Sequence, residues 1–303
     1  MRGNKRFIAL AVVLLLVGAA GIFAYIAERE TAAATLGDGL IVQLPGPDLH
    51  VEQQGPKSGS PIVLLHCYSC SSRWWDPVLD RLAERHRVTT IDLLGHGMSA
   101  KPASGYSIPA QAEAVRLTLD ALGIDRALIV GHSMGGVVGT ALAERNPELF
   151  DGLVALGVAA ERRYSQLPLL AEVGYLPVIG PALVELSPDA LLESGLSRVF
   201  APGFEVPGYA VEDLHRMTYP AYRDAARESR GFVAALPLQE RLADARFPIV
   251  YVQGMADRIV DPATTDAWAE LPTARIETLP DVGHSPQIER PRATSELILN
   301  YRE

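Results

Sequence analysis

Ala127-Leu-Ile-Val-Gly-His-Ser-Met-Gly-Gly136 is the stretch whose reading decides the fold. Ala127 to Val130 is a short continuous apolar run, the pattern of a strand buried on both faces. It leads straight into Gly131-His-Ser-Met-Gly135, and Met134 to Arg145 then reads as a helix stopped by Asn146-Pro147. Glycines two residues before and after Ser133 suit a turn too tight for side chains. Between a strand and a helix, such a G-x-S-x-G turn raises the serine hydroxyl above the sheet. The backbone N–H of Met134, at the helix N-terminus, is then free for a developing oxyanion. A glycine-rich turn with an incidental serine is the competing reading, and the flanking strand and helix weigh against it.

Working outward, the same alternation recurs. Strands are expected at Pro61–His66, Val88–Asp92, Leu153–Leu156, Pro248–Val252 and Ala274–Thr278. Helices are expected at Trp74–Arg85 and Pro109–Leu122, the latter with Gly123 as its C-cap, then from Pro262 and from about Pro286 to the end. Strands alternating with helices imply a mostly parallel sheet with helices on both faces. Segment 160–240 breaks the alternation. Its Leu167-Pro-Leu-Leu170, Leu176-Pro-Val-Ile-Gly-Pro181 and Phe200-Ala-Pro-Gly203 read as short proline-broken helices, expected to pack over the sheet as a cap.

The chain has 303 residues, 48% hydrophobic, enough to bury a substantial core and too apolar for disorder. Two cysteines cannot staple a fold of this size. A formal charge of −9, with basic residues scattered along the chain, argues against nucleic acid as a partner. Mean hydropathy is +0.12, raised by Phe7–Ala27, a run without charge that is preceded by Arg2, Lys5 and Arg6. About 20 apolar residues cross a bilayer core, and the upstream positive charges place the remainder outside the cytoplasm. An N-terminal transmembrane helix is therefore expected, giving a single-pass protein of the cell membrane with its catalytic domain outside. The alternative is a secreted protein cleaved after a signal peptide, with Ala32-Ala33-Ala34 as the small-residue site. The expected organisation is an anchor over 1–30, a tether over 31–38, a core from 39–159 and 241–303, and a helical cap over 160–240.

A serine nucleophile needs a base, and the base needs a carboxylate to orient it. His284 lies in Val282-Gly-His-Ser-Pro286, in a loop after the last strand, and Asp257 follows the strand Pro248–Val252 in Gly254-Met-Ala-Asp257. Ser133, Asp257 and His284 stand in the order Ser…Asp…His. Asp261 is the rival acid, but Asp261-Pro262 reads as a helix N-cap followed by an N1 proline. His66 ends a strand, His96 lies in a glycine-rich loop, and His50, His86 and His215 read as surface or packing residues.

With these residues in place, the chain resembles the α/β-hydrolase superfamily from about Leu40 to the C-terminus. The resemblance rests on His66, on Asp92-Leu-Leu-Gly-His-Gly-Met-Ser99 with Lys101-Pro102, on the turn at Ser133, on Asp257, and on Gly283-His284 with Glu289 and Pro291. It implies an eight-stranded, mostly parallel sheet with a cap after the sixth strand, and His96 and Ser99 as structural residues near the base of the site. By position it implies that Tyr68 supplies a second oxyanion N–H beside Met134. His66-Cys67-Tyr68-Ser69-Cys70 departs from the usual His-Gly, and a cysteine restricts the backbone where glycine does not. Cys67 and Cys70 are open to three readings: packed free thiols, a local disulfide, or a chemical role. Trp74 and Trp75 read as helix packing, with either one a possible pocket wall.

The expected activity is hydrolysis of carboxylic esters with an apolar acyl or aromatic group through an acyl-enzyme. It requires no cofactor and no metal, and takes a small-molecule ester as partner. The same triad also serves C–C hydrolases, lyases, perhydrolases and acyltransferases, and a non-catalytic scaffold is the alternative of a different class. Substrate-binding residues and oligomeric state are not legible.

Overall fold

A computed structural model of the chain describes residues 39–166, 174–176, 180 and 187–302. The expected anchor and tether lie outside these residues, as does part of the expected cap. Among the described residues, no helix is long and apolar enough to cross a membrane.

Eight strands form one sheet: β1 (Leu40–Val42), β2 (Leu49–Gln54), β3 (Ser60–Leu65), β4 (His86–Ile91), β5 (Ala127–His132), β6 (Phe150–Leu156), β7 (Ile249–Gly254) and β8 (Ala274–Leu279). Their order is β1-β2-β4-β3-β5-β6-β7-β8. β1 and β2 run antiparallel to their neighbours, and β3 to β8 are parallel. The chain leaves β3 toward β4 on one side and returns to β5 on the other. The strand order therefore reverses at β3 and β5, where a parallel sheet opens a crevice at its carboxyl edge.

Alternate side chains of the central strands point to opposite faces. Val63, Leu65, Ile91, Ile129, Leu153, Ile249 and Tyr251 pack on one face with α2 (Ile108–Ala121) and α3 (Met134–Arg145). Ile62, Leu64, Leu128, Val130, Val154, Val250 and Val252 pack on the other with α1 (Asp76–Ala83) and Ile298. Burial on both sides is why these strands read as unbroken apolar runs. α2 starts at Ser107, whose hydroxyl accepts the Ala110 N–H, and it ends before Gly123 at φ +64°, as the C-cap reading required. The single final helix expected from Pro286 is instead two, Pro286–Glu289 and Pro291–Leu299. Pro291 has no N–H to continue the first helix and begins the second.

Between β6 and β7 the described chain forms α4 (Asp189–Leu196), α5 (Tyr209–His215), α6 (Tyr219–Ala235) and α7 (Leu238–Arg241). α8 (Thr264–Trp268) lies between β7 and β8; α9 (Pro286–Glu289) and α10 (Pro291–Leu299) close the chain.

Asp92, just after β4, holds three separate segments together. Its Oδ1 accepts the Ser72 N–H at 2.6 Å, and its Oδ2 accepts the Met98 N–H at 2.8 Å and His50 Nδ1–H at 2.9 Å. His50 is thus a buried partner of Asp92: of the surface and packing readings made from sequence, the surface one fails. Ser99 Oγ bonds the Asp92 carbonyl and the His50 N–H, matching its structural reading. Burial alone raises a carboxyl pKa. Here the His50 hydrogen bond, the nearby His66 and the two N–H donors outweigh it and hold Asp92 at about 2. A folded pKa below the unfolded value of about 3.9 stabilises the fold above that pH, by about 2 kcal/mol, and this is lost as pH falls through about 2. Asp92→Asn is expected to lower unfolding free energy by about 3 kcal/mol at pH 7. In urea titrations the gap from wild type should shrink steadily between pH 5 and 2; a constant gap contradicts the charge account.

Candidate active site

The turn from β5 to α3 is built by exclusion. A Cβ on Gly135 would overlap the carbonyls of Leu65 and His66, and one on Gly131 would overlap the backbone of Gly136. Ser133 therefore sits between two glycines at φ 51°, ψ −115°, with its N–H bonded to the Leu156 carbonyl at 2.9 Å. A non-glycine residue held there costs on the order of 1–3 kcal/mol, and such strain persists only where packing on every side enforces it. Met134 is the first residue of α3, and the first N–H groups of a helix have no acceptor within it.

His284 and Asp257 meet across the carboxyl ends of β7 and β8. His284 Nδ1 lies 2.8 Å from Asp257 Oδ2, with both side chains buried. The other Asp257 oxygen accepts the N–H groups of Ile259 at 2.7 Å and Val260 at 3.0 Å, and Oδ2 also accepts Gln253 Nε2–H at 3.3 Å. These acceptor bonds fix Nδ1 as the protonated nitrogen of a neutral His284 and leave Nε2 as its basic atom. Asp261 is engaged elsewhere, accepting the Ala263 N–H at 3.0 Å and Gln166 Nε2–H at 3.1 Å. It holds the turn that precedes α8; the helix itself begins at Thr264 with Ala263 at its N-cap, two residues later than the sequence reading of Asp261 as N-cap and Pro262 as N1.

Two further residues hold the His284 loop. His132 Nε2–H donates to the His284 carbonyl at 2.7 Å, and His132 Nδ1 accepts Gln287 Nε2–H at 2.9 Å. Burial first, and then the neighbouring His284, push the His132 pKa well below its ordinary value, so this ring stays neutral. Glu289 Oε2 accepts the N–H groups of Gly283 and Ala201, both at 2.9 Å, and Oε1 accepts that of Ser285 at 3.2 Å. Its carboxylate thus clasps both residues flanking His284 and joins them to the segment inserted after β6. That segment also accepts the His284 N–H, through the Val199 carbonyl at 3.1 Å. Gly283 permits this approach, because a Cβ there would overlap the backbone of Phe200 and Ala201.

The loop after β3 carries Tyr68. His66 anchors its start, donating Nδ1–H to the Cys67 carbonyl at 2.7 Å and accepting the Leu93 N–H at 2.9 Å. Burial lowers the His66 pKa and pushes His96, packed beside Tyr68, down to about 3; both rings are structural and uncharged at neutral pH. Cys67 and Cys70 are joined as a disulfide, settling the three open readings, and Ser69 between them has φ +55°. The Tyr68 hydroxyl donates to the Tyr222 carbonyl on α6 at 2.7 Å.

Sequence reasoning missed Asp213, a buried carboxylate on α5. It accepts Ser71 Oγ–H at 2.8 Å, Trp74 Nε1–H at 3.0 Å and Arg73 Nη2–H at 2.8 Å. The available signal was its place on the same helical face as buried Ala210 and Leu214. Trp74 is a cavity wall, stacked on Phe200 at 5.9 Å, whereas Trp75 packs in the core under α1.

Ser133, Met134, Tyr68 and His284 all line one cavity of about 630 Å³. Its walls are mainly apolar, with Trp74, Val137, Leu196, Leu214, Val233 and Ile259 among them. Among the described residues, no group of three or more histidine, cysteine or acidic side chains could hold a metal ion. A strained serine, a histidine with one nitrogen committed to a carboxylate, and a helix N-terminus facing one mainly apolar cavity are the parts nucleophilic acyl transfer requires.

This chain belongs to the alpha/beta hydrolase fold family, whose pattern it matches over residues 60–291. It is 27% identical over 256 residues to the pimeloyl-acyl-carrier-protein methyl ester esterase of Aeromonas hydrophila subsp. hydrophila, covering 80% of this chain and 95% of that one. Among solved structures it resembles an N-acyl homoserine lactone degrading enzyme, with TM-score 0.71 and 27% identity over 86% of this chain and all of the other. It also resembles a bacterial membrane phospholipase A, with TM-score 0.75 and 25% identity over 98% of this chain and 97% of that one.

Glu289→Gln replaces one acceptor oxygen with an amide donor facing N–H groups. Activity on an ester substrate is expected to fall about 100-fold in kcat through displacement of His284, with the circular dichroism spectrum retained. An unchanged kcat would remove Glu289 from the positioning of the loop.

Proposed function

We infer that the protein is a serine hydrolase of carboxylic esters with an apolar acyl or aromatic group, acting through Ser133, His284 and Asp257. The observation that carries this reading is the strained Ser133 sharing one apolar cavity with the His284–Asp257 pair. In the proposed reaction, His284 Nε2 takes the Ser133 hydroxyl proton as Oγ attacks the carbonyl carbon. The Tyr68 and Met134 N–H groups receive the tetrahedral oxyanion. Collapse expels the alcohol, protonated by His284, and leaves an acyl-enzyme; a water, deprotonated by the same ring, then releases the acid. Asp257 holds the ring in its productive tautomer and stabilises the imidazolium formed at each step.

The apolar walls favour an acyl chain or aromatic ring over a sugar or peptide. Segment 160–240 serves as a cap whose described helices roof this cavity, and α5 and α6 contribute Leu214, Tyr222 and Val233 to it. The run Phe7–Ala27 is proposed to hold the domain at the outer face of the cell membrane. Two observations support that placement. The Cys67–Cys70 disulfide belongs to an oxidising compartment, and the likeness to a membrane phospholipase A extends over nearly the whole chain. Membrane-derived acyl esters are accordingly the first substrates to test.

A fluorophosphonate probe is expected to label wild-type protein and to leave Ser133→Ala unlabelled; equal labelling of both would overturn the nucleophile. Turnover across a short-to-long acyl ester series should fall at least about 1,000-fold in Ser133→Ala. Removing residues 1–27 should release soluble, active protein from membranes. If that truncated protein sediments with them, the anchor is not what holds it there.

A further inference from the structure

Between His66 and Ser71 the chain that carries Tyr68 is held differently from everything around it. His66 is fixed by two hydrogen bonds, Ser71 by Asp213, and Ser72 by Asp92. The Tyr68 ring is tied through its hydroxyl to α6. The backbone of 67–70 itself is spanned by one long turn bond, Cys70 N–H to the Cys67 carbonyl at 3.3 Å, and by the disulfide. Within this span Ser69 occupies the left-handed region at φ +55°, which a non-glycine residue leaves readily when unrestrained. The Cα atoms of Cys67 and Cys70 lie 5.3 Å apart, inside the ordinary disulfide range, so the bond closes the same turn that Ser69 completes.

We propose that the Cys67–Cys70 disulfide is a positioning element of the oxyanion hole: it holds the Tyr68 N–H on the reacting carbonyl, and the hydrolase reaches full rate only in its oxidised form. This rests on the reading of Ser133 as nucleophile. Both cysteines are almost fully buried, yet both line the substrate cavity. A small dithiol entering the cavity can attack one sulfur as a thiolate. Its second thiol then resolves the mixed disulfide, leaving two protein thiols and a cyclic disulfide of the reductant. Ligand in the cavity blocks that path, so occupancy of the site protects the bond.

The test uses the full-length protein in detergent with a soluble aryl ester. The chain has two cysteines, so counting thiols after dithiothreitol treatment reports this bond alone. Full reduction is expected to lower kcat 10- to 100-fold with KM within about two-fold, and reoxidation should restore it. The double variant Cys67→Ala, Cys70→Ala should start at the reduced level and ignore dithiothreitol. A thiono ester gives the readout that a general structural role would not move. Sulfur is a poor hydrogen-bond acceptor, so preference for the oxygen ester should shrink when the Tyr68 donor is lost. Prior labelling of Ser133 with a fluorophosphonate should slow thiol exposure at least ten-fold.

Unchanged kcat with two thiols counted overturns the proposal. So does a loss of activity that follows the circular dichroism signal while the oxygen-to-sulfur preference stays constant, which marks a stability staple only. If oxidised wild type is neither labelled nor active on any ester, the hydrolase reading fails first and takes this one with it. If wild type turns over and is indifferent to reduction, only the disulfide's role fails.

Discussion

The packing of α3 against the end of β3 is the constraint on which the rest depends. The helix approaches so closely that Gly135 lies on the Leu65 and His66 carbonyls. That contact forces the chain between β5 and α3 into a turn that Ser133 can enter only at positive φ. A serine in a relaxed loop would be a weak nucleophile pointing anywhere. Here the geometry is set by backbone overlap, which has no soft direction, and the same overlap places the start of α3 beside the loop carrying Tyr68. The serine proposed to react and the N–H groups proposed to receive its charge are consequently fixed relative to one another by one steric fact.

The remaining parts are fixed by carboxylates that serve as multi-point acceptors. Asp92, Asp213, Asp257 and Glu289 each collect three or more donors, at least one of them from a segment distant in sequence, and all four are buried. A buried carboxylate is costly unless its lone pairs are matched, and matching them demands that several loops hold their places together. Each therefore acts as a checkpoint on assembly. Two of the four have a partner that lines the cavity, Asp213 through Trp74 and Asp257 through His284.

The sheet and the Ser133 turn were legible because both are written in local pattern: unbroken apolar runs for strands covered on two sides, and glycines where a Cβ cannot fit. Asp257 and His284 were legible from their places after late strands. β1 and β2 were invisible as elements, β1 because three apolar residues are too short a run to carry a period and β2 because half of its six residues, Glu52 to Gln54, are polar. Asp213, the grip of Glu289 and the pairing of His50 were hidden for a different reason. Their meaning lies in which distant N–H groups converge on them, and no spacing encodes that. The split of the last helix was readable, since Pro291 stands in the sequence, but its placement at the junction of two helices depends on Glu289 facing inward.

The hydrogen bonds that fasten the inserted segment to the core bear on how such a fold can be inherited. Asp213 reaches back to residues 71–74, Ala201 to Glu289, and Arg258 reaches out to the carbonyls of Ser197 and Phe200. The insertion is continuous in sequence, but its attachment points are spread over three separate core loops. Recombination that exchanged residues 160–240 with those of a relative would strand an arginine and a glutamate on one side and bring in unmatched groups on the other. This part of the chain can therefore drift freely along its outer surface, while its inner seam must change in step with positions up to 154 residues away.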